Sequence, residues 1–126
     1  MALWLRLLTA IIIFCHGFIY VRIGSLLPGP VKGWNGRSWL LGGVVTDAPL
    51  VSLSRTVHVI AGVTIIACAV AIGFGHDIWR LLAIAGGSIG IVAFAIFWDG
   101  QARLLFEEGV IGALVSLILV ICAFTI

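Results

Sequence analysis

Charge is what this sequence has least of. Seven Lys or Arg and five Asp or Glu are all that 126 residues carry, a charged share of 10%. A soluble domain carries about 25%, because a folded surface has to face water. A chain with a hydrophobic share of 63% and a mean hydropathy of +1.30 cannot cover itself with polar groups. Its outer surface is therefore expected to face lipid, and a water-soluble globule is excluded. The net charge of +2 comes without a basic run or an aromatic platform, so no nucleic-acid partner is expected.

Other absences narrow the chemistry. Cys15, Cys68 and Cys122 lie inside apolar runs without CxxC or Cys/His spacing; they read as small buried hydrophobes and say nothing about redox compartment. There is no Ser/His/Asp arrangement, no phosphate-binding glycine loop and no zinc spacing, so no metal site is expected. Residues 1–14 resemble a signal peptide in their early Arg6 and apolar core, but no small-x-small pattern follows. They are expected to be a retained first span.

What is present is apolar sequence in four blocks, at about 2–27, 51–74, 78–98 and 104–126. Crossing the hydrocarbon core takes roughly 20 apolar residues of helix. Pro28-Gly29-Pro30 closes the first block, since proline cannot continue a helix. The stretch 28–50 then reads as a long loop, with turn signals at Gly33, Gly36, Gly42, Gly43 and Pro49. Trp34, Trp39, Leu40 and Leu41 suit it to the membrane interface. It is expected to be a docked connector, or alternatively a lid over a cavity. Ser52 or Ser54 is positioned to cap the second helix, and Gly75-His76-Asp77 is expected to be a tight turn with a solvated His76.

The expected fold is all-α: one domain, 1–126, forming an antiparallel bundle of four transmembrane helices with both termini on the same side. The expected location is a prokaryotic cytoplasmic membrane. Without a hydrophobic drive between helices in lipid, small residues must let backbones approach. Gly62, the pair Gly86/Gly90, Gly109 and Gly112 are the candidates for that role, with Ala69/Gly73, Gly109/Ala113 and Gly112/Ser116 as further small pairs. The Gly86/Gly90 face also offers a route to a homo-oligomer. Counting Arg and Lys gives Arg6 and Arg80 on the termini side, against Arg22, Lys32, Arg37, Arg55 and Arg103 on the loop side. That balance leans towards a cytoplasmic loop side, although Arg6 beside the N-terminus pulls the other way.

The polar residues gather towards the loop side. Asp99, Arg103 and Glu107 are spaced i, i+4, i+8, so a helix would carry them on one face as an ion-pair ladder. Gln101 and Glu108 stand beside them. His16 and Tyr20 share a face of the first span, and Arg55, His58 and Gly62 share a face of the second. Ionisable groups in transmembrane segments usually face the bundle interior or a wet cavity. One reading makes the ladder a structural junction and the histidines hydrogen-bonded core. Another gathers His16, Tyr20, Arg22, Arg55, Asp99, Gln101 and Arg103 around a pocket for a substrate or partner, with His58, Glu107 or Glu108 as acid/base. Haem or quinone would be a possible occupant, although no cofactor is expected as the default; paired haem ligation would need His16 and His58 at one depth. A small multidrug transporter is disfavoured, because no glutamate lies in the first span.

The opening Leu5-Arg6-Leu7-Leu8, followed by Cys15-His16-Gly17-Phe18-Ile19, resembles the start of DoxX-like proteins and of other small four-helix membrane proteins. Trp39-Leu40-Leu41-Gly42-Gly43, Trp79-Arg80 and Phe97-Trp98 are also similar to the latter group. Where some relatives have a second histidine after the His-Gly pair, this chain has Tyr20. The resemblance implies a four-helix bundle and, through the family's links to quinone-coupled redox complexes, an accessory role in such an assembly. The expectation is thus a membrane subunit bound to lipid and to its own copies or other membrane subunits. The alternatives are a small enzyme acting on a lipid, quinone or isoprenoid through a His/Glu/Arg pocket, and an oligomeric transporter.

Overall fold

Long aliphatic runs with few breakers can satisfy every backbone polar group only as helix once water is excluded. The computed structural model describes residues 2–25, 38–98, 100 and 109–126, and these fold as four helices without a strand. They are α1 (Leu3–Ser25), α2 (Asp47–Phe74), α3 (Trp79–Phe97) and α4 (Val110–Thr125). Three of them, α1, α2 and α3, are long and apolar enough to cross a membrane. The described part of α4 has 16 residues; the remainder of the fourth block, 104–108, lies outside the described residues. So do Asp99, Gln101, Arg103, Glu107 and Glu108, and with them the proposed ion-pair ladder.

The second helix begins earlier than its serines suggested. Its N-cap is Thr46, without a side-chain capping bond, so neither Ser52 nor Ser54 caps it. Pro49 sits in its first turn, where a missing N–H costs nothing because those amides have no intrahelical acceptor. At the other end Gly75, at φ 75°, takes the left-handed conformation that stops the helix, and its N–H and that of His76 return to Ile72 and Ala71. This is the expected tight turn, with His76 exposed.

Helix packing follows the small residues. A Cβ on Gly17 would stand 2.8 Å from the Gly62 carbonyl oxygen, and one on Gly62 would stand 2.6 Å from that of Gly17. Gly24 meets the α2 backbone at Arg55 and Val59, and Gly73 faces Ala10. Ala10, Gly17 and Gly24 are seven residues apart, a spacing that keeps one stripe of α1 against its neighbour over the whole helix. In α3 the three glycines divide their work: Gly86 packs on Thr64 and Ile65 of α2, Gly87 on Ser116 and Val120 of α4, and Gly90 on the Tyr20 and Ser116 hydroxyls. All three are buried. The Gly86/Gly90 face is thus used inside the chain, which removes the feature that had suggested an oligomer interface. Gly109 also has a different role from the expected one. At φ 105° it is the left-handed N-cap of α4, and a Cβ there would meet nothing.

Four helix C-termini need donors for their last carbonyls, and each receives one from elsewhere in the chain or from its own cap. Arg55 donates from Nε to Gly24 O (3.1 Å) and from Nη2 to Ser25 O (3.3 Å), closing α1. At the end of α2 the donors are the Gly75 and His76 amides, with the Arg6 guanidinium close to Gly75, and Arg80 donates to Ile126 O at the end of α4 (2.9 Å). A cation at a helix C-terminus also complements the macrodipole. At the end of α3 the donors come from the connector: Ser38 Oγ donates to Ile96 O, Trp39 N to Trp98 O (2.8 Å) and Trp39 Nε1 to Ala95 O. Ser38 Oγ in turn accepts from the Leu40 and Leu41 amides, starting a turn through Val44. Leu41 and Val45 from this turn pack on Leu50, Ala93 and Phe97. Residues 38–45 thus pack against the end of α3, while 28–37 of the expected loop lie outside the described residues.

Candidate functional site

Polar side chains are sparse in the apolar interior, and four of them meet. His16 and Tyr20 lie one turn apart on α1, so both project to the same side. Their rings touch edge to face, with centroids 5.2 Å apart. Ser116 of α4, completely buried, stands 3.0 Å from His16 Nε2 and 3.3 Å from Tyr20 Oη through its Oγ. His58 of α2 stacks on Tyr20 with centroids 6.0 Å apart, and Phe97 of α3 lies 6.0 Å from His58. Helix α1 supplies two members of the group, and α2, α3 and α4 supply one each. Gly90 makes room for it, since a Cβ there would stand 2.9 Å from Tyr20 Oη.

The hydrogen-bond directions follow from the partners. His58 Nδ1 is 2.7 Å from Ser54 O, four residues back on its own helix. A carbonyl only accepts, so Nδ1 carries the proton and donates. Ser54 Oγ is also near that nitrogen, at 3.3 Å. Ser54, which looked like a cap, is instead a buried support for His58. Around Ser116 two arrangements balance. Either Tyr20 donates to Ser116 and Ser116 donates to His16, or the chain runs in reverse and the Tyr20 O–H is released to point elsewhere.

This cluster is the polar end of a cavity of about 450 Å³ between α1 and α4. Its walls are Ile12, Ile19 and Ile23 from one helix and Ile111, Gly112 and Val115 from the other. Ile12, Ile19 and Ile111 are each more than half exposed, so the cavity continues into the outer apolar face of the protein. Ligand sites span about 300–1,000 Å³ and combine apolar walls with a few placed polar groups. This cavity has the same size and composition.

No family model, curated protein or solved structure matches this chain.

The site's meaning therefore rests on its own residues. The structure brings His16, Tyr20 and His58 together at one cavity, and Gly112, expected as a helix-packing residue, lines the same cavity. Arg22 and Arg55 are not among the residues lining the cavity: Arg22 lies in the last turn of α1, and Arg55 is spent on the α1 carbonyls. Gly62 belongs to the α1–α2 crossing. Tyr20 is in ring contact with both His16 and His58. Among the described residues no three His, Cys, Asp or Glu converge as metal ligands. Sequence reasoning had treated Ser116 only as a packing residue. Its signal was available: apart from Thr125 at the very end, it is the one hydroxyl in α4.

Proposed function

We propose that the protein is a multi-pass membrane protein, an antiparallel four-helix bundle that holds a lipophilic molecule by its polar head in the α1–α4 cavity. The antiparallel arrangement is supported by contacts whose numbers rise on one helix as they fall on the next. Ala10, Gly17 and Gly24 pair with Gly73, Gly62 and Val59; Gly87 pairs with Ser116 and Val120, and Arg80 with Ile126. Four such crossings return the chain to the side on which it began, and a prokaryotic cytoplasmic membrane is the location this reading takes. The exposed large apolar side chains are distributed over all four helices, as contact with lipid on every side requires.

The observation that carries the functional reading is the combination of one buried polar cluster with an apolar cavity reaching the outer face of α1 and α4. A molecule entering sideways from the bilayer would leave its tail against Ile12, Ile19 and Ile111. Its head would reach Tyr20 and His58. A quinone- or isoprenoid-like amphiphile has that shape, and the protein would serve a membrane assembly as the subunit that holds it. In the DoxX-like resemblance, the His16-Gly17 pair then has a physical sense: His16 contacts Ser116, while Gly17 brings α2 close enough to present His58.

The test is gentle purification followed by native mass spectrometry of the wild type and Gly112→Leu. Gly112 lines the cavity with His16 and Tyr20 within 4 Å of its missing Cβ, so a leucine there fills the space. The wild type is expected to retain a lipophile that Gly112→Leu loses. Equal retention by both proteins, or none by the wild type, would sink the reading.

A further inference from the structure

The hydrogen-bond pattern around the cavity carries information about what its ligand must offer. His58 lines the cavity, and its Nδ1–H is committed to Ser54 O at 2.7 Å. Turned this way, the ring presents Nε2 at the end remote from its own helix. That atom has a lone pair and no hydrogen-bond partner among the described residues. An Nδ1–H imidazole can only accept at Nε2. An acceptor left unmatched in an apolar cavity loses its hydration without replacement. Tyr20, by contrast, can either donate or accept, because the Ser116 hydroxyl can run its bond in either direction between Tyr20 and His16.

Resting on the ligand-binding reading above, we propose that the cavity selects amphiphiles whose ring head bears a hydroxyl, a phenol-type donor delivered to His58 Nε2, over heads that only accept. Tyr20 tolerates either kind of second group. A ring is favoured over a linear head because the cavity's polar end presents three rings, His16, Tyr20 and His58, with successive centroids 5.2 and 6.0 Å apart. A flat head adds to these rings, and its tail leaves between α1 and α4.

The experiment compares 4-nonylphenol with 4-nonylanisole, the same molecule with its donor methylated, by calorimetric titration of the intact protein in mild detergent. The phenol is expected to bind about tenfold tighter, the scale of one well-made hydrogen bond in an apolar site. His58→Asn keeps an amide donor for Ser54 O, but its remaining acceptor, Oδ1, stops one atom short of the position of Nε2, so the preference should fall to near parity. In Tyr20→Phe the preference should persist. ¹⁵N-histidine NMR of the wild type needs no variant: adding phenol should shift the His58 Nε2 resonance and leave Nδ1 nearly in place. Equal binding of the two probes to the wild type overturns the donor selection and leaves the ligand-binding reading standing. A preference lost in Tyr20→Phe and kept in His58→Asn also overturns it, by making Tyr20 the acceptor. Binding of neither probe fails both proposals.

Discussion

Ser116 concentrates more of the site's energetics than any other single side chain. Its hydroxyl is the shared partner of His16 Nε2 and Tyr20 Oη, so Ser116→Ala leaves two buried polar atoms unmatched. Each such loss costs about 1–3 kcal/mol. Ser116→Ala is therefore expected to lower stability by at least about 1 kcal/mol, measured as the unfolding midpoint in mild detergent. Thr125→Ala on the same helix is the control. Its Oγ1 bonds only to Ile121 O in its own helix, and a change within about 0.5 kcal/mol is expected. Gly90→Ala tests the same spot from the opposite wall. The new methyl would stand 2.9 Å from Tyr20 Oη and 3.1 Å from Ser116 Oγ. Because a hydroxyl must move aside, lipophile retention should suffer even where the helices stay folded. Unchanged retention in Gly90→Ala would show that the Tyr20 hydroxyl takes no part in binding.

At the scale of elements, the crossing of α1 and α2 and the packing of residues 38–45 on α3 are the two features most open to test. Gly62→Ala places a methyl 2.6 Å from a backbone oxygen of α1, so the helices must separate. Overpacking of this kind costs about 1–3 kcal/mol. Gly43→Ala, where nothing lies within 4 Å, is expected to be neutral in the same unfolding assay. The connector's hold on α3 depends on Ser38, which donates to Ile96 O and accepts from the Leu40 and Leu41 amides. Ser38→Ala should accelerate hydrogen exchange at Leu40 and Leu41 while leaving the α1–α2 amides protected. Uniform protection in the variant would mean that the turn is held by Leu41 and Val45 packing alone. Helices were legible in the sequence because aliphatic runs bounded by Pro and Gly have no other solution in lipid. Their ends were less so. Thr46 starts α2 without a side-chain cap, and a proline in the first turn is as compatible with helix as with loop. The heptad of Ala10, Gly17 and Gly24 was equally visible, yet small residues recur so often here that only the contacts distinguish a crossing from a coincidence.

For the whole molecule, the cysteines offer a probe of where the bundle is open. Cys15 is exposed and lines the cavity, whereas Cys68 is completely buried and donates to Trp79 O. A membrane-permeant maleimide is expected to label Cys15 well before Cys68 in the folded protein, and a bound amphiphile should slow Cys15 alone. Comparable rates at both sites would contradict an opening confined to the α1–α4 side. The arginines also change meaning at this scale. Arg55 and Arg80 had counted as topology signals, and Arg55 as a grip for a substrate head. In the folded chain they close the ends of α1 and α4, because a helix C-terminus with unmet carbonyls is costly wherever water is scarce.

Composition alone determined that the surface is apolar and the chain helical, since 10% charged residues cannot clothe a soluble fold and lipid permits no open backbone. Proline and glycine positions added the approximate number of helices. The convergence of His16, Tyr20, His58 and Ser116 was decided only by tertiary structure. These residues are separated by up to 100 positions, and nothing local couples the rotation of one helix to that of another. That coupling comes from Gly17 against Gly62 and from Gly87 and Gly90 against Ser116, where the absence of a side chain lets backbones approach closely enough to bring these polar groups together.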